Sequence, residues 1–400
     1  MITRRDALKT ASAVGVLSAI AGPAFAAATA PTDSRLVVII LRGGADGLAL
    51  VPAPGDPNFA SRRGHLGAGE TEQIGNAIPL DGTFALHPRL TALAPLWQAM
   101  QLAVIHAVHT GSRNRSHFDA QDLLEIGLNR LTSTADGWLN RTLGYYGDGK
   151  PTTGLAVGYG KPLIMRGPTR IATWAPRRLP VADDDFLNRL TLLSRDDSAI
   201  GAALADGAEA ARRNRTLLGR DEHSTRQSTR TLPAVTQLAR ATGKLLSVDQ
   251  GARIATFDID GWDTHGYQNT ALAYRMPYLN DAVDGLRQGL GAAWQKTVVI
   301  VVTEFGRTAA PNGTTGTDHG TATAALVMGG AVAGGQVHAD WPGLGQNNLY
   351  EGRDLMPTTD IRALFKAVLR DHLKIDDAFI EDRIFPGSRS VPPLDQVVIA

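Results

Sequence analysis

Carboxylate and imidazole side chains stand just past apolar runs at four places in this sequence, a combination suited to holding a divalent cation. Asp46 lies in LRGGADG behind VVIIL, and Asp263 and His265 lie in GWDTHG behind IATFDI. Glu304 ends VVIVVTE, and Asp318 and His319 follow in GTDHG. A packed core has no use for them there, because a carboxylate leaving water costs free energy unless it is paired or metal-bound. Hard divalent metals take mixed carboxylate and imidazole ligands. In open α/β proteins such sites sit beyond the carboxyl ends of parallel strands.

Each residue also has a plainer role. Alternation in an extended segment points Asp263 and His265 to the same side, although Asp263 could instead cap local amides. Asp318 and His319 sit between Gly316 and Gly320, where the backbone can bend sharply into an Asx-turn. Glu304 is either a ligand or the salt-bridge partner of Arg307. Asp46 is open to ligation or to amide capping, and Asp258 and Asp260 compete with Asp263 for one site.

Transfer of a phosphoryl or sulfuryl group to the protein needs a nucleophile, and Ser116 is the best hydroxyl. It opens SHFDAQDLLEIGL at an expected helix N-terminus, where free N–H groups favour an anion. Metal coordination lowers a hydroxyl's pKa; the plain alternative is a helix N-cap. His117 is the imidazole best placed to take part, ahead of His106 and His109, and His109 could order the GSRNR loop. Arg42, Arg113, Arg115 and Arg307 stand where they could clamp a phosphate or sulfate. Together they favour an anionic substrate, small molecule or polymer.

The elements that must position these groups are legible from pattern. Runs at 35–41, 102–108, 154–159, 252–259, 297–303 and 323–330 read as buried strands. Helices are expected over 88–100, 116–128, 134–146 and 361–373, the last capped by TTD, and over MPYLNDAVDGLRQGLGAAW. Residues 50–87 read as proline-broken loops, and 181–248 as a polar helical layer. The alternation implies an α/β domain with a mostly parallel sheet covered on both faces.

The first 26 residues read as an address. Arg4-Arg5 precede a short, small-residue-rich apolar stretch ending in Ala24-Phe25-Ala26, the pattern of a twin-arginine leader. The expected division is a leader over 1–26, cleaved or retained, and one domain over 27–400. The export machinery is then a partner, the destination is periplasmic or secreted, and the mature chain has no transmembrane span. With 40 basic and 39 acidic residues and 6% aromatics, nothing marks a nucleic-acid binder. The sequence contains no cysteine, so thiol catalysis and disulfides are excluded.

LRGGADGL, SHFDAQD, GWDTHG, VVTEFGRT, GTDHGTAT and the late FPG resemble the exported DUF1501 family, over roughly 33–388. That family is commonly placed with the alkaline phosphatase and sulfatase superfamily. The resemblance implies a three-layer αβα sandwich, a serine or threonine nucleophile at Ser116, and one or two divalent ions, zinc first, with calcium, magnesium or manganese as alternatives. It sets Asp46 as the first-strand aspartate, Asp263 and His265 as a ligand group of shortened spacing, and His319 as the late ligand. Glu304 stands where the superfamily places an aspartate, and Phe305 replaces the histidine that normally follows. Asp318 or His117 could complete a two-ion set, or one ion binds. The implied activity is metal-dependent hydrolysis of phosphate or sulfate esters in the cell envelope. The alternative is a catalytically inactive exported binding or structural protein on the same scaffold.

Overall fold

A computed structural model describes residues 33–64, 66, 77–111, 113, 115–132, 136–146, 154–176, 234–249 and 251–399. The leader and most of the polar layer expected over 181–248 lie outside these residues.

Strand β1 (Arg35–Arg42) is followed by the short helices α1 (Gly47–Leu50) and α2 (Phe59–Arg63) and by a hairpin of β2 (Ile78–Pro79) and β3 (Ala85–Leu86). Then come α3 (Ala94–Gln98), β4 (Leu102–His109), α4 (His117–Ile126), α5 (Trp138–Gly144), β5 (Gly154–Val157) and β6 (Ala172–Trp174). Beyond these lie α6 (Ala234–Ser247), β7 (Ile254–Asp260), α7 (Gln268–Leu290), β8 (Thr297–Val302), β9 (Thr323–Met328) and β10 (Gln336–His338). Next are the small pair β11 (Leu349–Tyr350) and β12 (Asp354–Leu355), then β13 (Thr359–Asp360), α8 (Ile361–Asp371) and short helical turns over Asp377–Phe379 and Ile380–Ile384.

The main sheet runs β10-β4-β9-β8-β1-β7-β5-β6, and β13 also pairs with β4. Every pairing is parallel except those of β9, which runs antiparallel to both β4 and β8. Alternation divides β1 between two cores: Val37, Ile39 and Leu41 face one, Leu36, Val38 and Ile40 the other. Leu272, Met276, Leu279 and Leu286 of α7 cover the first, together with Ala239 and Leu245 of α6. Trp138 of α5 and Leu364, Phe365 and Val368 of α8 cover the second. Burial on both faces explains why these strands read as continuous apolar runs instead of alternating ones.

Two expectations were off in extent. The helix over 88–100 shortens to α3, five residues beginning Ala94-Pro95. Helix α7 begins at Gln268, two turns before the residue expected to open it, and carries Pro277 in its interior. The cap of α8 matches the TTD reading: the Asp360 carboxylate accepts from the Arg362 N–H at 2.9 Å. Among the described residues, no helix is long and apolar enough to cross a membrane.

Candidate metal centre

Most of the candidate residues lie just past the carboxyl ends of parallel strands. Ser116 and His117 open α4 after β4, Asp263 and His265 follow β7, and Glu304 lies two residues past β8. Asp318 and His319 close the connection from β8 to β9. Gly43, just beyond β1, has φ +118°, and a Cβ there would stand 2.5 Å from the Asp263 nitrogen. Only glycine lets the first loop press this closely against the GWDTHG segment.

His117, Asp263 and His319 each offer a ligand atom, and these atoms lie within 4.8 Å of one another. Such a span suits donors around one ion with bonds of about 2.0–2.6 Å. His117 Nδ1 lies 2.8 Å from Glu304 Oε1. Its Nε2 is 3.5 Å from Asp263 Oδ2, is buried, and has no hydrogen-bond partner. His319 Nδ1 lies 2.9 Å from the Arg115 carbonyl oxygen, and its Nε2 is 3.3 Å from Asp263 Oδ1. Both rings therefore turn Nδ1 to a fixed acceptor and Nε2 to the cluster. An orphaned nitrogen among two imidazoles and a carboxylate is a donor set that fits a divalent cation.

His265 belongs to the same cluster. Its Nε2 is 2.9 Å from His319 Nε2 and 3.1 Å from Asp263 Oδ1. Two imidazole nitrogens that close need a proton or a cation between their lone pairs. Asp318 Oδ1 stands 3.5 Å from His265 Nδ1 and accepts from Asn312 at 2.9 Å. The His117 and His319 rings meet edge to face at 4.3 Å, and Phe305 packs on both, at 4.8 and 4.9 Å. Phe305 is thus the apolar floor of the cluster, in the place where a histidine was the alternative.

Electrostatics separate these groups. Burial alone would raise the Glu304 pKa, but hydrogen bonds from His117, Gln121 and backbone amides hold it at about 2, against an ordinary 4.5. The Glu304 hydrogen bond in turn raises the His117 pKa. Burial lowers that of His319, with the charges of Arg307 and His117 adding to the effect. Burial works to raise Asp263, yet Arg307 keeps it below the usual carboxylate range.

Asp46 stands apart from the cluster. It caps α1 by accepting from the Leu48 N–H at 3.0 Å, and its other oxygen accepts from Arg63 at 2.6 Å and Gln268 at 2.7 Å. The capping alternative thus describes the geometry. Thr264 and Thr317 donate to the Gln268 carbonyl at 2.8 and 2.6 Å, which ties this network to the segments bearing Asp263 and Asp318.

The arginines are also engaged internally. Arg307 is buried and donates to the carbonyls of Gly43, Gly44, Trp262 and Thr317, and to Asp263 at 2.5 Å. Its ion pair is with Asp263, not Glu304. Arg115 pairs with Glu351 at 2.5 Å and Asp354 at 2.9 Å, while its carbonyl meets His319. Arg42 pairs with Glu125 and Asp258, and Arg113 lies over the Tyr350 ring. His109 accepts from the Gly111 N–H, and His106 is buried against Phe84 and Trp341. Ser116 occupies the N-cap position of α4, but its side chain makes no capping bond to that helix.

Gln121 escaped the sequence reading. Its Nε2 donates to Glu304 Oε1 at 2.9 Å. The available signal was its spacing: four residues after His117, it shares that residue's helix face.

No curated protein matches the sequence. Among solved structures, the fold is similar to the phosphonate monoester hydrolase of Agrobacterium radiobacter, with 11% identity and a TM-score of 0.38 over 86% of this chain and 74% of that one. The sequence profile described as "Protein of unknown function (DUF1501)" matches residues 33–384, and the chain belongs to that family.

Proposed function

We propose that the cluster is a divalent-metal centre of a hydrolase acting on phosphate or sulfate esters. The observation carrying this reading is the orphaned His117 Nε2, aimed at Asp263 and His319 from a ring whose other nitrogen is already held. His117, Asp263 and His319 would hold the ion, with His265 within reach as a fourth donor. The ion, zinc before calcium, magnesium or manganese, would polarise an ester oxygen as a Lewis acid. Ser116, at the N-cap position of α4 next to His117, is the proposed nucleophile. Arg307 holds the Asp263 carboxylate in place, and Phe305 keeps water from the inner faces of both rings. We further propose the alkaline-phosphatase type of three-layer sandwich, and periplasmic or secreted placement after twin-arginine export, which rest on the motif resemblance and the Arg4-Arg5 leader.

A second reading, a catalytically inactive exported binding or structural protein, draws on a specific observation. Arg115 and Arg307, expected to grip an anionic substrate, are engaged in internal ion pairs. One experiment addresses both readings: metal analysis of protein purified without chelator, followed by turnover of aryl phosphate and aryl sulfate esters. Bound metal with ester turnover that is lost on Ser116→Ala supports the hydrolase. Bound metal without turnover favours the inactive scaffold, and absence of metal removes the centre itself.

A further inference from the structure

We infer that Glu304 is a positioning residue and not a metal ligand: it fixes which nitrogen of His117 carries the proton, and so aims the Nε2 lone pair at the centre. The inference rests on the reading of the cluster as a metal site, and changes what the most buried carboxylate beside it does.

The argument starts from capacity. An ionised carboxylate accepts hydrogen bonds and donates none, with about four lone-pair positions on two oxygens. Glu304 Oε1 accepts from the Gly43 N–H at 2.9 Å, from Gln121 Nε2 at 2.9 Å and from His117 Nδ1 at 2.8 Å. Its Oε2 lies 2.9 Å from Thr303 Oγ1, whose single proton is shared with the Leu41 carbonyl oxygen at 2.6 Å. The side chain has no solvent exposure. Its oxygens already face these donors, and turning one toward the centre would break several hydrogen bonds in a dry environment, each costly to leave unmade.

The same geometry sets the tautomer. Because Glu304 can only accept, His117 Nδ1 must be the donor, and a neutral ring then keeps its lone pair on Nε2. A carboxylate behind a ligating histidine both orients the ring and raises its basicity. His319 shows the device with a neutral acceptor, its Nδ1 facing the Arg115 carbonyl. Arg115 itself has φ +56°, unusual for a residue with a Cβ. Gln121, one turn along α4 from His117, donates to the same carboxylate oxygen and steadies it.

Glu304→Gln tests the assignment, because an amide NH2 can donate to Nδ1 and move the ring proton to Nε2. Nitrogen-15 spectra of histidine-labelled protein without metal, assigned with His117→Gln, should show the Nδ1–H form in the wild type. In Glu304→Gln they should show the Nε2–H form or a mixture. Zinc affinity should fall about 10–100-fold, the usual consequence of losing such an outer partner. The saturated stoichiometry and the cobalt(II) absorption spectrum should stay as in wild type, because the ligand set is intact. Should the glutamine variant not fold, Glu304→Asp, which keeps an accept-only carboxylate but shortens its reach, should lower zinc affinity with stoichiometry and cobalt spectrum unchanged. A cobalt spectrum showing one ligand fewer in either variant makes Glu304 a ligand and overturns the inference. Unchanged tautomer and unchanged affinity overturn it as well. A wild type that binds no zinc sinks the metal reading alone, since the metal-free spectra still decide whether Glu304 sets the tautomer.

Discussion

Two groups of polar side chains lie near each other beyond the strand ends, and they differ in how their polar atoms are met. Around Asp46, both carboxylate oxygens have donors in Leu48, Arg63 and Gln268, and Gln268 is matched by Thr264 and Thr317. Around Asp263, Arg307, His265 and His319 converge on one oxygen while His117 Nε2 has no hydrogen-bond partner. Both oxygens of the Asp46 carboxylate are met by protein donors; the second cluster keeps a buried nitrogen, aimed at its carboxylate, that is not. An acidic residue after a strand is therefore weak evidence of a ligand, and an unmet donor or acceptor beside it is the stronger sign.

The largest expected effect comes from opening the Asp46 group. Asp46→Ala leaves Arg63 buried without its carboxylate, and breaking such a pair costs about 3–5 kcal/mol. Urea denaturation should show that loss, while metal content per folded molecule stays at the wild-type value. Loss of metal at full folding would place Asp46 in the ligand set and erase the contrast.

Acid comes next, and the sign follows from Glu304. Its folded pKa of about 2 lies below the ordinary 4.5, so its contribution is present above pH 4.5 and is lost as pH falls toward 2. The loss is on the order of 3 kcal/mol. Metal-free protein should follow this course, and Glu304→Gln should be flatter across the same window. A wild-type curve as flat as that of the variant would remove the buried hydrogen-bonded carboxylate as the cause.

Chelation should have a comparable or slightly smaller effect. An ion at one hundred times its dissociation constant stabilises the folded state by about 2.7 kcal/mol. Chelator should lower the wild-type melting temperature toward that of His319→Ala, which should bind less metal. Identical melting of wild type with chelator or with added zinc would leave the second group with its nitrogen unmet and no ion to complete it.

Ser116→Ala should have the smallest effect on stability of these changes, because its side chain makes no capping bond to α4. Ester turnover should disappear while bound metal stays. A stability loss larger than that of Asp46→Ala would reverse the order, and full turnover would exclude covalent attack by this hydroxyl.

What the sequence disclosed follows from the same division. The strands were readable because Leu36–Leu41 and Val298–Val302 are buried on both faces and so carry apolar residues at every position. Asp263, His265 and His319 stood out because glycines and strand ends left them without a packing role. Arg63 did not stand out: it lies seventeen residues from Asp46, in a stretch whose prolines suggested only loops, and nothing local marks their pairing. The engagement of Arg115 and Arg307 was hidden for the same reason, since guanidinium partners are chosen by the tertiary fold. Gln121 had a local signal in its spacing, but an amide becomes meaningful only when a carboxylate is seen beside it. Pro277 misled because its usual place is a helix's first turn, whereas α7 carries it internally.

The position of β1 bears on when this protein can fold at all. It is the first strand described, yet it lies mid-sheet, where Leu36 pairs with Ile254 on one side and Val298 on the other. While the chain is being made, its first strand must wait for more than two hundred residues before either neighbour exists. A shortened product ending before Thr297 would expose an apolar strand edge, a surface prone to pairing with other chains. Contacts between such distant residues also make for slow folding. Completion of this sheet therefore requires synthesis through Asp360, whose strand pairs with β4.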